Sequence, residues 1–215
     1  MFRPLGDQGV LIRFGDGISL ETHQAIHGFC AALARDPVPG VVEWVPAYAT
    51  VAVYYRPQEI GYDDLVRGLG QRLAASDDQP PPARVVEIPT VYGGEHGPDL
   101  EEVAVLHGLT AAEVVARHSR PEYLVHILGF APGFPYLGGL PEYLATPRLA
   151  MPRVRVPAGS VAIGGAQTGI YPLEMPGGWR LIGRTPLRLF APDREPPTLL
   201  QPGDRVRFVP ITTWP

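Results

Sequence analysis

Hydrophobic and polar positions follow two different textures along this chain. In the first part the periods are regular. "GVLIRFG" reads as a strand, and Ser19 stands where an N-cap would open a helix to about Arg35, with Ile26, Phe29, Cys30 and Leu33 on one stripe. "VVEWVPAY" and "TVAVYYR" read as two strands, and their close spacing predicts an antiparallel hairpin. A second helix follows from Asp63, with Leu65, Leu69 and Leu73 on one face. The order β-α-β-β-α predicts a small α+β sandwich over residues 1–80, with helices on one side of an antiparallel sheet.

The pattern breaks at "SDDQPPPAR", Ser76 to Arg84, where charge and three consecutive prolines predict an extended, semi-rigid spacer. Beyond it "RVVEIPTVY" reads as a strand. Two short helices are expected, over Leu100 to Leu106 and from Thr110 to His118; "TAAE" in the second has capping-box spacing. From Tyr123 onward the apolar positions fall only in short segments ("YLVHILGF", "SVAIGG", "WRLIGRT", "LRLF", "DRVRFVPI") divided by Gly/Pro turns. Short strands with turn signals predict an all-β barrel over residues 84–215. The expected fold class is thus α+β: a sandwich, then a barrel.

Composition narrows what such a protein can do. Hydrophobic content is 45% and charged content 19%, enough for packed cores. No apolar run reaches the roughly 18 residues of a membrane span, and the N-terminus lacks the pattern of a secretory signal, so a cytoplasmic protein is expected. The net charge of −4 and the scattered basic residues argue against a nucleic-acid partner. All 18 basic residues are Arg. Without Lys the chain forms no Schiff base and no Walker-type phosphate loop. The single cysteine, Cys30, excludes an internal disulfide, and burial in the helix stripe accounts for it better than a nucleophilic role. His23 and His27 are the one histidine pair at ligand spacing; no third ligand is identifiable, so no metal is expected.

Three Gly/Pro blocks carry the candidate chemistry. "LGFAPGFPYLGGLPEYL" interleaves Phe130, Phe134 and Tyr136 with glycine and proline, which suits either a barrel loop whose aromatics plug the core or an apolar-walled pocket. In "TPRLAMPRVRVPAGSVAIGGAQTGIYP", Gln167 and Thr168 offer donors and acceptors at a turn, for the local backbone or for a polar substrate. "PGGWRLIGRTP" places Trp179 after a glycine pair and sets Arg184 between Gly and Thr, where a guanidinium fork could take a carboxylate or make a structural contact. His118 and His126 could serve as acid or base, or sit satisfied in the core.

Together and in this order, these blocks, with "YGGEHGPDLEEVA" and "LQPGDRVRFVPI", resemble the 5-oxoprolinase B-subunit family, which includes the kinase inhibitor KipI and proteins labelled allophanate hydrolase subunit 1. The resemblance spans essentially the whole chain. It implies a cyclophilin-like barrel for the C-terminal domain, and partnership with 5-oxoprolinase subunits A and C in ATP-dependent opening of 5-oxo-L-proline to L-glutamate, with ATP bound through the partners. It also implies catalytic roles for His118, Tyr171 and Arg184, and substrate contacts from Phe130, Phe134, Tyr136, Arg153, Gln167, Thr168 and Trp179. In this arrangement Arg184 would take the substrate carboxylate, while Gln167 and Thr168 would bond the ring amide, all facing one cavity. Two positions depart from the family: Met175 replaces a hydroxyl residue before "PGGW", and Pro141 follows "GGL" in place of Asp. A KipI-like inhibitor docking its exposed loop aromatics on a sensor kinase, and a member of a urea- or allophanate-related complex, are the alternatives.

Overall fold

The computed structural model describes residues 1–17, 19–76 and 84–215. It divides into two compact units, Met1–Pro82 and Ala83–Pro215. All but the two ends of the expected proline spacer lies outside the described residues.

In the first unit, strands β1 (Phe2–Pro4), β2 (Gly9–Arg13), β3 (Val41–Pro46) and β4 (Thr50–Tyr55) form an antiparallel sheet in the order β1-β2-β4-β3. Helices α1 (Leu20–Arg35) and α2 (Tyr62–Ala74) supply the other layer. Alternation decides the buried face: Val10 sits opposite Val53 and Ile12 opposite Val51, and these four pack with Ile26, Phe29, Leu33, Leu65 and Leu69. Ser19 caps α1 as expected, its Oγ accepting from the Thr22 N–H at 3.0 Å. Strand β1 was not expected, because three residues are too few to show a period. Cys30 is half-buried, and burial pushes its thiol up to about 12, so it stays protonated and unreactive near neutrality.

The second unit is a closed barrel. Its strands are β5 (Val85–Tyr92), β6 (Tyr123–Leu128), β7 (Pro135–Gly138), β9 (Ser160–Gly164), β10 (Gln167–Ile170), β12 (Arg180–Arg184) and β13 (Arg205–Pro210), in the cyclic order β10-β7-β6-β13-β5-β12-β9. A separate ribbon pairs β8 (Arg153–Val156) with β11 (Met175–Gly177). Closure leaves no open edge in the seven-stranded sheet. It depends on one parallel pairing, β13 on β5, running from Arg205 opposite Val85 to Pro210 opposite Thr90; Arg207 and Glu87, opposite each other, form an ion pair at 2.6 Å. Helices α3 (Leu100–Leu106) and α4 (Ala111–Ser119) add Leu100, Val103, Ala104 and Val114 to the barrel core. The capping box of α4 forms between Thr110 and Glu113. "LRLF" is not a strand: only Phe190 makes an isolated bridge, to Thr198. Pro186, Pro192, Pro196 and Pro197 flank it, and each removes a ladder donor.

Among the described residues no helix is long and apolar enough to cross a membrane.

Candidate functional site

One aromatic ring organises one end of the barrel unit. The Phe134 ring lies 5.0 Å from Tyr136, 5.4 Å from Tyr171, 5.6 Å from Trp179 and 5.7 Å from Phe130, centroid to centroid. The Tyr171, Trp179 and Phe130 contacts are edge-on, at 84–86°, the geometry favoured by the aromatic quadrupole. These five side chains, with Arg148, Leu149, Pro152, Gly177 and Gly178, line a cavity of about 180 Å³. They arrive from four separate segments: the β6–β7 connection with the start of β7, the loop before β8, the residue after β10, and the end of β11 with the β11–β12 connection.

Glycine makes this convergence possible by leaving space for rings. A Cβ on Gly164 would stand 2.5 Å from the Trp179 indole, and one on Gly177 would overlap the Tyr171 hydroxyl oxygen. Phe130 carries a different strain. Its φ is 67°, in the left-handed region, and its ring is two-thirds exposed at the cavity mouth. Such a conformation in a non-glycine residue costs about 1–3 kcal/mol and is typical of binding sites.

Tyr171 is the principal proton-bearing group of the cavity. Burial raises its phenol above the usual range, opposed by the Trp179 backbone N–H and the Arg148 and Arg153 guanidinium groups. The hydroxyl therefore keeps its proton near neutral pH and can donate a hydrogen bond to a ligand. Arg148 lies over the Trp179 ring, 5.6 Å from its centroid. Arg153 stands beside this group, on β8 opposite Gly177. Its Nη2 donates to Asp99 Oδ1 at 2.6 Å, and Asp99 Oδ2 accepts from the Leu181 N–H at 2.7 Å. Arg153 Nη1 is buried and, among the described residues, has no hydrogen-bond partner.

The other expected site residues do not face this cavity. His118 is fully buried and bonded at both ring nitrogens, to Tyr92 Oη at 2.8 Å and Thr168 Oγ1 at 2.9 Å. Thr168 uses its one hydroxyl proton on the Ala162 carbonyl, so the His118 Nε2–H donates to Thr168 Oγ1 and Nδ1 accepts from the Tyr92 O–H. Burial pushes His118 down to about 3, which keeps it neutral. It packs on Phe208 and Tyr123 as part of the core, and the catalytic role expected for it has no route to the cavity. Thr168 is likewise sealed in. Gln167 opens β10, opposite Gly164 across a tight hairpin.

Arg184 belongs to a second recess, with Glu95, His96 and Trp214. Its Nε donates to the Ala158 carbonyl at 2.8 Å, and its guanidinium covers Trp214 at 5.0 Å. The expectation of one mouth shared by Gln167, Thr168, Tyr171 and Arg184 is therefore corrected: Thr168 alternates into the sealed core, Arg184 lines a different recess, and Gln167 is not among the residues that line the cavity with Tyr171. Sequence reasoning missed Arg148 and Asp99. Arg148 stands in the quoted "TPRLAMPR", where irregular backbone gives no period to point it out.

The family model for the carboxyltransferase domain, subdomains C and D, matches residues 1–200. The 5-oxoprolinase B subunit of Bacillus subtilis strain 168 is 47% identical over 219 aligned positions, covering 97% of this chain and 91% of the relative. This chain belongs to the 5-oxoprolinase B-subunit family. The corresponding protein of Escherichia coli O157:H7 is 48% identical over 206 positions, 96% of this chain and 94% of that protein. The crystal structure of TTHA0988 superposes with a TM-score of 0.86 at 43% identity, over 99% of this chain; the chain spans 41% of that longer polypeptide. Among the described residues no cluster of His, Cys, Asp and Glu could hold a metal ion.

Proposed function

We propose that this chain is the B component of a cytoplasmic, ATP-dependent 5-oxoprolinase, working with subunits A and C, and that the Phe134-centred cavity receives the lactam. The observation that carries this reading is the cavity itself: about 180 Å³, walled by flat rings, with the protonated Tyr171 phenol among them. Pockets for drug-sized ligands span roughly 300–1,000 Å³, so this one suits a single five-membered ring. Phe134, Tyr136 and Trp179 hold the ring faces, and Tyr171 donates to the amide carbonyl, whose oxygen gains charge as the ring opens. A nucleotide does not fit here: the cavity is too small. ATP is accordingly assigned to the partners, and no step of this site is drawn through it.

The kinase-inhibitor alternative needs an exposed aromatic patch on the "GFAPGFPYLGGL" loop, residues 129–140. Of the three rings it relied on, Phe134 is buried and Tyr136 half-buried, which leaves Phe130. Coexpression with subunits A and C, with and without this chain, tests the proposal through 5-oxoproline-dependent ADP release. Turnover should require the chain and should fall roughly 100-fold in Gly177→Ala, whose methyl group displaces the Tyr171 hydroxyl. Undiminished turnover in the chain's absence overturns it.

A further inference from the structure

Arg148 has no task in the account above, and its surroundings suggest one. The segments that wall the cavity, 148–156 and 175–180, carry four arginines. Three have acid partners: Arg153 pairs with Asp99 at 2.6 Å, Arg155 with Glu174 at 2.7 Å, and Arg180 with Glu102. Arg148 pairs with no carboxylate among the described residues; its contact is the Trp179 ring. The ten residues that line the cavity include this one cation and no anion. The Arg148 guanidinium carbon lies 5.6 Å from the indole centroid, and with no carboxylate paired to it among the described residues its N–H groups can offer a fork of two parallel hydrogen bonds. Arg184, the other candidate for an anionic group, is committed to Ala158 and Trp214 in a different recess.

We propose that Arg148 is the specificity determinant of the cavity, binding the free carboxylate of a small ring acid whose ring lies among Phe134, Tyr136 and Trp179. This rests on the cavity being the lactam pocket and adds which ring acids enter it. The class is a monoanionic cyclic amide acid, with the carboxylate at the open Arg148 side and the amide carbonyl toward Tyr171. A neutral lactam of the same ring size gains nothing from Arg148 and binds by its ring alone. Because the carboxylate is remote from the bond that breaks, Arg148 holds substrate and transition state alike, so its loss falls on KM.

The experiment uses the complex assembled with subunits A and C. Arg148→Gln should raise the KM for 5-oxoproline by ~10- to 100-fold, the range for losing a charged hydrogen-bond partner, with kcat held within ~3-fold. Arg148→Lys should recover part of that loss, since a point charge replaces the fork. Neutral 2-pyrrolidinone, used as a competitive inhibitor, should keep the same Ki in wild type and variant. An unchanged KM in Arg148→Gln overturns the assignment. So does a Ki for 2-pyrrolidinone that rises in parallel with KM, which marks a collapsed cavity wall. If the complex turns over 5-oxoproline without this chain, the functional reading falls and the assignment with it; if the chain is required and Arg148→Gln is silent, only the assignment falls.

Discussion

Two aromatic clusters in the same barrel unit use polar groups in opposite ways. Around His118 the accounting closes: Tyr92 donates to Nδ1, Nε2 donates to Thr168, Thr168 donates to Ala162, and the Tyr123 hydroxyl donates to the His118 carbonyl at 2.6 Å. Around Phe134 it stays open: Arg148 has no acid partner among the described residues, Arg153 Nη1 has no acceptor among them, and Phe130 holds a strained backbone at the mouth. A satisfied network fixes one packing of a core. Groups left with bonding capacity destabilise the empty protein and are available to a ligand. Histidine, the residue type most often suspected of catalysis, is here on the inert side of that contrast.

The largest expected effect comes from removing the hub of the open cluster. Phe134→Ala takes away a buried ring that touches four others and should cost about 3–5 kcal/mol of barrel stability, read by urea unfolding. A cost below about 1 kcal/mol would mean that the four rings are held without it, and the cavity would lose its organising centre.

The closed cluster has its own signature, in pH. His118 lies near 3 in the folded chain against 6.5 for an ordinary histidine, because burial penalises its charged form. The unfolded chain then binds the extra proton first, so this contribution is intact above about 6.5 and is lost as the pH falls toward 3. Between pH 7 and pH 5 the loss should be about 2 kcal/mol from this residue. Comparing urea unfolding of wild type and His118→Phe at both values isolates it: the variant is less stable at pH 7, since Tyr92 and Thr168 lose their partner, but its stability should fall less steeply with acid. Parallel slopes in the two proteins would place His118 in contact with water after all.

The same contrast explains what was legible in the residues. Both helices of the first unit, its central hairpin, the α4 capping box and most barrel strands follow from periods and caps that act over a few positions. The β13–β5 pairing joins residues 120 apart, and nothing local in Arg205 to Pro210 announces a parallel partner. Five of the ten expected site residues do meet in the cavity: Phe130, Phe134, Tyr136, Tyr171 and Trp179. All five are aromatic, set among glycines that only a close approach explains. The polar members were harder, because a Thr or Arg in a barrel strand points inward or outward according to register, and register is fixed by partners elsewhere in the chain. Thr168 faces Leu137 on one side and Ile163 on the other, which takes its hydroxyl into the core.

The smallest expected effect is at Arg184, and it is the sharpest comparison because Arg148 is its counterpart. Both guanidinium groups cover an indole, Trp214 at 5.0 Å and Trp179 at 5.6 Å. They differ in what lies beside them. Arg184 is tied to the Ala158 carbonyl, and its recess already contains Glu95 and the His96 ring stacked on Trp214 at 4.7 Å. Arg148 opens on a cavity without an anion. Arg184→Ala should therefore leave the KM for 5-oxoproline within ~2-fold and cost no more than about 1 kcal/mol of stability, the scale of an exposed cation–π contact and one backbone bond. Assayed beside Arg148→Gln in the same complex, it separates a guanidinium that fastens the C-terminal tryptophan from one that awaits a substrate. A KM that rose in Arg184→Ala and not in Arg148→Gln would exchange the two assignments and move the carboxylate to the Trp214 recess.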